Sequence, residues 1–306
     1  MSKRYFIIAP CYNEEKVIER FLKDLETKLV KTDAEFTVVI VDDASLDLSL
    51  SILKGFRFSS ESFTLKIIRL NFNMGHQAAI NIGLNYVNKF KDDIEGVIVM
   101  DSDGEDDPNA IKELIKLKDF DIVFVSRGKR KEGLLFKVGY FFYKGLFKMV
   151  VGKSITFGNY SLINPNVLFS IHNQRFSHYA AFLSKQKFKI NKVRFDRQHR
   201  IDGKSKMSHK NLVFHGLSSL IEYSEEILYF LIKFFFALIC FNIVLGGYVL
   251  YSKFILHTAI LGWASTIGSS ILIICVLIIS TVILGLLLLS IKRTIFNNII
   301  SYEEIK

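Results

Sequence analysis

Val97-Ile98-Val99-Met100-Asp101-Ser102-Asp103-Gly104-Glu105-Asp106-Asp107-Pro108 runs from an apolar block into five carboxylates within seven residues and stops at a proline. The apolar block reads as a buried strand, and the acidic block as the loop at its carboxyl end. Carboxylates this close repel one another unless a cation sits among them. A hard divalent metal, Mg²⁺ or Mn²⁺, suits the position, because it takes oxygen ligands and shares them with substrate phosphates. Asp101-x-Asp103 would then hold the metal from one side and a nucleotide diphosphate from the other. The plainer reading is an acidic turn before a helix, with Asp107-Pro108 as cap and first-turn proline.

The same unit recurs outward from this stretch. Residues 5–9 form an apolar run ending in Pro10-Cys11-Tyr12-Asn13-Glu14-Glu15, and residues 36–41 one ending in Asp42-Asp43-Ala44-Ser45. Residues 65–70 end in Asn71-Phe72-Asn73-Met74-Gly75-His76, and residues 121–125 in Ser126-Arg127. After the first run Val17, Ile18, Phe21, Leu22, Leu25 and Leu29 recur at helical spacing, and after the third so do Ala78, Ala79, Ile82, Leu84 and Val87. Strands alternating with helices predict a mostly parallel α/β sheet. Polar clusters at the carboxyl ends of successive strands are where such sheets bind ligands. His76 reads only as a loop or helix-cap histidine, and His172, His178, His199, His209 and His215 show no metal spacing.

Composition narrows the setting. Half of the 306 residues are hydrophobic and 28 are phenylalanine, more than a purely soluble protein needs, and the last quarter carries most of the long apolar runs. Cys11, Cys240 and Cys275 have neither metal nor redox spacing, which points to a reducing cytoplasm without structural disulfides. The apolar run before Pro10 is too short for a signal peptide. A net charge of +10 suits nucleic acid or an anionic membrane face, and the apolar runs decide for the membrane and against nucleic acid.

Residues 228–251 are apolar apart from Lys233 and Asn242, and residues 267–291 carry no charge. Each is long enough to cross a hydrocarbon layer of roughly 30 Å, with Lys233 near one end where it snorkels. Two buried core helices are the alternative, but no second soluble domain remains to cover them. Lys204, Lys206 and Lys210 precede the pair and Lys292 and Arg293 follow it, which places both termini and the α/β domain in the cytoplasm. Residues 137–153 interleave aromatics with lysines, as either a membrane-interface helix or a core helix with solvated lysines. Residues 188–195 alternate with period two, as a half-exposed strand does, and lead into a basic loop over 196–206. That loop suits a phosphate through charge-assisted hydrogen bonds, or is simply solvated.

Five patterns then occur in order: Pro10-x-Tyr12-Asn13-Glu14-Glu15, Val41-Asp42-Asp43-Ala44-Ser45, Asn71-x-x-x-Gly75-x-x-Ala78-Ala79, Asp101-x-Asp103 with Asp106-x-Pro108, and Arg200-x-x-Gly203-x-Ser205-Lys206. With the paired apolar runs behind them, the chain resembles the polyisoprenyl-phosphate glycosyltransferases, the dolichol-phosphate mannose synthase-like branch of the family 2 glycosyltransferases. The resemblance implies a GT-A, Rossmann-like catalytic domain over 1–210, followed by a juxtamembrane or interfacial helix over 211–227. Transmembrane helices over 228–251 and 267–291 and a cytoplasmic tail over 292–306 complete the expected layout.

Carried over by position, Pro10, Tyr12, Glu14, Asp42 and Asp101 would bind the donor together with Arg130. Asp101, Asp103 and Arg127 would act on the diphosphate, and Asp103 and Glu105 would hold Mg²⁺ or Mn²⁺. Arg200, Ser205 and Lys206 would receive the acceptor phosphate. Glu105 stands where relatives commonly have glutamine, and Ser161 in Gly158-Asn159-Tyr160-Ser161-Leu162 where they usually have arginine. The implied reaction is inverting transfer of one sugar from a nucleotide-sugar, a UDP-hexose such as UDP-glucose, to a polyprenyl phosphate such as undecaprenyl phosphate. It would take place at the inner face of the cell membrane, among membrane lipids, with tetramers known among relatives. A lipid monophosphate is already largely dianionic at neutral pH, so no strong general base is needed. The rivals are a polysaccharide-extending synthase, whose Gln-x-x-Arg-Trp pattern is absent since Trp263 lies between the spans, and a non-catalytic nucleotide-sugar-binding membrane protein.

Overall fold

The computed structural model describes residues 3–126, 145, 147–149, 152, 157–196, 198, 218–257, 262–295 and 302–305. The chain divides into two compact units. The first comprises Met1–Val138, Ile155–Glu222 and Ile299–Lys306, and the second Gly139–Ser154 and Tyr223–Asn298.

The first unit is built on an eight-stranded mixed sheet. Its strands are β1 (Arg4–Cys11), β2 (Glu35–Asp42), β3 (Phe63–Leu70), β4 (Gly96–Val99), β5 (Ile122–Ser126), β6 (Phe157–Ile163), β7 (Ile190–Arg194) and β8 (Tyr302–Ile305). Their order across the sheet is β7-β5-β6-β4-β1-β2-β3-β8. The central strands are parallel, while β6 lies antiparallel between β4 and β5 and β8 antiparallel along β3. Strand β1 is apolar without alternation because both of its faces are covered. Tyr5, Ile7, Ala9 and Cys11 face the layer of α1 (Ile18–Leu29), α2 (Ser49–Gly55) and α4 (Asn109–Lys116). Phe6 and Ile8 face α3 (His76–Val87), α5 (Pro165–Ile171) and α6 (Tyr179–Lys185).

Local sequence sets the helix starts. The Glu14 carbonyl accepts the N–H groups of Val17 and Ile18, and α1 then buries Ile18, Phe21, Leu22, Leu25 and Leu29 along one stripe. Asn164 Oδ1 accepts the Val167 N–H at 2.9 Å to open α5, with Pro165 in its first turn.

Helix α3 reaches the sheet through Gly83. A Cβ there would stand 2.5 Å from Ile8 Cγ2 and 3.2 Å from Val41 Cγ2. Both neighbours are β-branched and buried in the sheet, so neither rotates away. Gly83→Val is expected to cost about 3 kcal/mol of stability by overpacking. It would show as a lower thermal midpoint of the full-length protein, and an unchanged midpoint would mean that α3 shifts freely on the sheet.

The second unit contains α7 (Ser224–Phe254) and α8 (Trp263–Ile295), of 31 and 33 residues. At 1.5 Å per residue these are about 46 and 50 Å long, more than the hydrocarbon thickness of a bilayer. They enclose the two apolar runs and extend beyond them. Phe236, Ile243, Val244, Leu272 and Leu286 are among many large apolar side chains left exposed along them. The helices touch closely where Leu228 seats at Gly285, whose added Cβ would lie 2.7 Å from Leu228 Cδ2. Of the aromatic–lysine stretch over 137–153, residues 145, 147–149 and 152 are described, and the Phe147 ring meets Tyr223 edge-on at 5.2 Å.

Candidate active site

The loops after β1 and β2 are bonded across to each other. Asn13 N–H donates to Ser45 Oγ at 3.0 Å, Glu14 N–H to Ser49 Oγ at 2.8 Å, and Glu15 N–H to Asp47 Oδ2 at 3.1 Å. In return Leu46 N–H donates to Asn13 Oδ1 at 2.8 Å and Leu48 N–H to Glu15 Oε2 at 3.0 Å. Asn13 and Ala44 take left-handed backbone, at φ 54° and 57°, to make the crossing. Most of the polar residues in the first two patterns are therefore occupied in shaping the loops, while the Tyr12 side chain remains exposed. Cys11 lies beneath them, where burial pushes its thiol up to about 12, with the carboxylates of Asp42, Glu14 and Asp47 adding to the shift. It is no nucleophile.

Asp42 is fully buried at the end of β2. Its Oδ1 accepts the Ser45 N–H at 3.2 Å, and its Oδ2 receives no hydrogen bond among the described residues, with Arg69 Nε 4.0 Å away. Asp43, also buried, accepts the N–H of Met74 at 2.7 Å and of Gly75 at 2.8 Å, one on each oxygen. Burial raises the Asp43 carboxyl above its ordinary range, although both N–H groups favour the charged form.

Beyond β4 the acidic loop has a definite geometry. Ser102 is buried and donates to the Pro10 carbonyl at 2.6 Å, tying this loop to the end of β1. On either side of it the Asp101 and Asp103 carboxylates are only partly buried. Asp101 N–H donates to Asp106 Oδ2 at 3.0 Å and Glu105 N–H to Asp103 Oδ1 at 3.0 Å. Gly104 makes the turn between them at φ 75°, a conformation a side chain would strain. The Asp107 side chain accepts from Asn109 N–H at 2.9 Å and Lys28 Nζ at 3.1 Å. Burial works against its charge, but Asn109, Gln198 and Lys28 hold the carboxyl below its ordinary range.

His76, read from the sequence as a loop or helix-cap residue, opens α3 with Nε2 3.3 Å from Asp101 Oδ1. Burial would lower its pKa, but Asp101 first and then Asp103 and Asp106 raise it overall. Nε2 also lies 3.0 Å from Nδ2 of Asn159, a buried residue of β6. His76 and Asn159 thus join the carboxylates as residues the sequence reading passed over. The available signal for His76 was its place directly after Asn71-x-x-x-Gly75. Ser161 is wholly buried, with Oγ donating to the Asn159 carbonyl and meeting the Tyr179 hydroxyl at 3.0 Å.

The structure thus brings Pro10, Tyr12, Glu14, Asp42, Asp101, Asp103 and Glu105 to the carboxyl end of neighbouring strands. Arg127, Arg130, Arg200, Ser205 and Lys206 lie outside the described residues. Among the described residues no three His, Cys, Asp or Glu side chains already form a metal cluster. Asp101 and Asp103, hard oxygen ligands on a loop pinned by Ser102, fit a cation that takes its other ligands from substrate and water.

The profile of Glycosyl transferase family 2 matches residues 6–198. The uncharacterized glycosyltransferase YkcC of Bacillus subtilis (strain 168) is 28% identical over 271 residues, covering 86% of this chain and 82% of its own length. The undecaprenyl-phosphate 4-deoxy-4-formamido-L-arabinose transferase of Photorhabdus laumondii is 29% identical over 155 residues, 50% of this chain and 46% of that one. Glucosyl-3-phosphoglycerate synthase from Mycobacterium tuberculosis, solved with Mn²⁺ and uridine-diphosphate-glucose, superposes with a TM-score of 0.53 at 14% identity, covering 74% of this chain and 79% of that chain. The last likeness is one of fold: a GT-A-like α/β sheet, here followed by two long apolar helices. As the family profile spans more than half of its length, this chain belongs to glycosyl transferase family 2.

Proposed function

We propose that this protein transfers one sugar, with inversion, from a nucleotide-sugar to a polyprenyl phosphate at the cytoplasmic face of the membrane. UDP-glucose or a related UDP-hexose is the donor and undecaprenyl phosphate the acceptor. The observation that carries the reading is the combination, in one chain, of a family 2 site with two helices long and apolar enough to cross a bilayer. An acceptor whose hydrocarbon tail stays in the membrane requires an enzyme held at that surface. The match to an undecaprenyl-phosphate sugar transferase supports the same acceptor class.

The chain's residues divide the work. Asp42 Oδ2, buried and lacking a hydrogen bond among the described residues, is an acceptor suited to the imide N–H of a uracil ring. Tyr12 and Glu14 follow the end of the neighbouring strand β1. Asp103, with Glu105 beside it and Asp101 across Ser102, would hold Mg²⁺ or Mn²⁺, which when bound stabilises charge on the leaving diphosphate. Arg127 and Arg130 add to that stabilisation. Arg200, Ser205 and Lys206 would bind the acceptor phosphate through charge-assisted hydrogen bonds. Its oxygen attacks directly, so the configuration at that carbon inverts.

The test is a donor screen with full-length, detergent-solubilised protein, undecaprenyl phosphate, Mn²⁺ or Mg²⁺, and radiolabelled nucleotide-sugars. Label from one donor is expected in the organic phase and is lost with EDTA. Nucleotide binding without lipid label from any donor would overturn the reading in favour of a non-catalytic binder.

A further inference from the structure

The net charge of +10 is concentrated in one tract. Residues 185–210 hold ten lysines and arginines and two aspartates, so this tract alone accounts for +8. Its described part runs from the end of α6 into the edge strand β7. There Lys187, Lys189, Lys192 and Arg194 are all exposed. Ile190 packs on the core beneath α3, and Lys192 and Arg194 follow it on the same face of the strand. Val193, between them, packs on the opposite core. Apolar residues thus anchor the strand on both faces, and its carboxyl half carries the charge. The neighbouring Asp121 is engaged, accepting Asn164 Nδ2 at 3.0 Å and the Lys189 N–H at 2.8 Å.

Lysines on an edge strand have an ordinary use, which is to stop another strand from pairing there. Charge of either sign serves that purpose, and the two edges of this sheet differ. Strand β8, at the far edge, holds two glutamates and no basic residue, and Lys66 meets Glu304 at 3.8 Å. An anionic surface therefore attracts this sheet by the β7 edge alone. Strand β7 is parallel to β5, while β6 is antiparallel to both β5 and β4. The carboxyl end of β7 thus lies at the same end of the sheet as Asp101 and Asp103. Three strand spacings, about 14 Å, separate β7 from β4.

We infer that the β7 edge, through Lys187, Lys189, Lys192 and Arg194, docks on the anionic phospholipid headgroups of the bilayer that holds the chain. Basic residues next to a membrane-crossing helix are attracted to such headgroups, and the attraction fades within a Debye length, about 8 Å at physiological salt. A domain already tethered to a bilayer needs only weak attraction to settle on it, because tethering raises the effective concentration. Docking by this edge brings the carboxyl end of the sheet to the surface from which a lipid-borne phosphate arrives. The inference rests on the membrane placement proposed above and not on the sugar reaction.

The experiment places untagged full-length protein in vesicles of phosphatidylcholine, alone or mixed with phosphatidylglycerol, each containing some nickel-chelating lipid. A nitroxide is attached at Asn191→Cys in β7, or at Thr64→Cys in β3 as a control, in a Cys240→Ser background. Nickel is expected to relax the Asn191 label about fivefold more strongly when phosphatidylglycerol is present, and the Thr64 label equally in both membranes. Salt at about 1 M, where the Debye length is about 3 Å, should abolish the difference. Lys189→Glu, Lys192→Glu and Arg194→Glu together should abolish it as well. That variant keeps the edge charged, so a purely protective role would leave the signal unchanged. The salt arm uses the unaltered strand and gives the answer even where the triple variant fails to fold. Equal relaxation in the two membranes, or a difference that survives salt and charge reversal, overturns the inference. An Asn191 label silent in both membranes and shielded by added duplex RNA also overturns it, and gives the face to nucleic acid. The label reports docking whether or not sugar is transferred, so absence of transfer would count against the proposed reaction alone.

Discussion

Asp103→Ala is expected to lower sugar transfer about a thousandfold while leaving the fold intact. A divalent ion at the leaving diphosphate contributes several kcal/mol of transition-state stabilisation, and each 1.36 kcal/mol is a factor of ten. The Asp103 side chain accepts the Glu105 N–H within the turn, and Gly104 already favours that turn. The loop is held separately by Ser102 on the Pro10 carbonyl and by Asp106 on the Asp101 N–H. The thermal midpoint should therefore move by no more than a degree or two, while the dependence of transfer on Mn²⁺ concentration disappears. Turnover within tenfold of wild type, at an unchanged metal requirement, would remove Asp103 from the metal site.

The second large effect is on stability and binding together. Asp43→Ala removes both acceptors from the buried N–H groups of Met74 and Gly75. Hydrogen bonds to a charged group contribute about 1.5–3 kcal/mol each, and the two orphaned donors add their own desolvation cost, so a loss of about 3 kcal/mol or more is expected. The next residue is His76, so the same change should weaken nucleotide binding by loosening the start of α3. Hydrogen exchange would show it as faster exchange at residues 74–76. Asp43 also sets a pH signature. Its folded-state pKa is raised, so between the ordinary carboxylate value and that raised value the folded protein binds more proton than the unfolded chain. Stability therefore falls as pH rises through that window, and Asp43→Ala should flatten the slope. A variant with wild-type stability, exchange and pH slope would show that the loop is held by other contacts.

The strands of the sheet centre were legible because residues buried on both faces leave an uninterrupted apolar run, as in β1, β2 and β4. Strand β6 was not. Its Gly158-Asn159-Tyr160-Ser161 sequence looks polar, and the reason for those residues is tertiary: Asn159 meets His76, Ser161 meets Tyr179, and the Tyr160 hydroxyl donates to the Asp107 carbonyl at 2.9 Å. Nor was β8, since Tyr302-Glu303-Glu304-Ile305 resembles a solvated tail. An edge strand needs few apolar side chains, and here Ile305 packs on the core while Glu304 accepts from the Tyr86 hydroxyl at 2.8 Å. At the site, acidic residues announced themselves by crowding. A single histidine has no spacing to betray it, and His76 acquires meaning only when β6 and β4 are brought side by side.

The position of β8 also bears on how the protein is made. Residues 302–305 pair with β3, yet the ribosome produces them only after both α7 and α8. From the moment β3 is synthesised until then, its outer edge displays unpaired backbone N–H and C=O groups, a template for any other extended strand. The sheet domain is thus assembled in two instalments, separated by the delivery of some seventy largely apolar residues. Sealing of that edge is a late event, and a nascent chain halted between the two helices would carry an open-edged sheet.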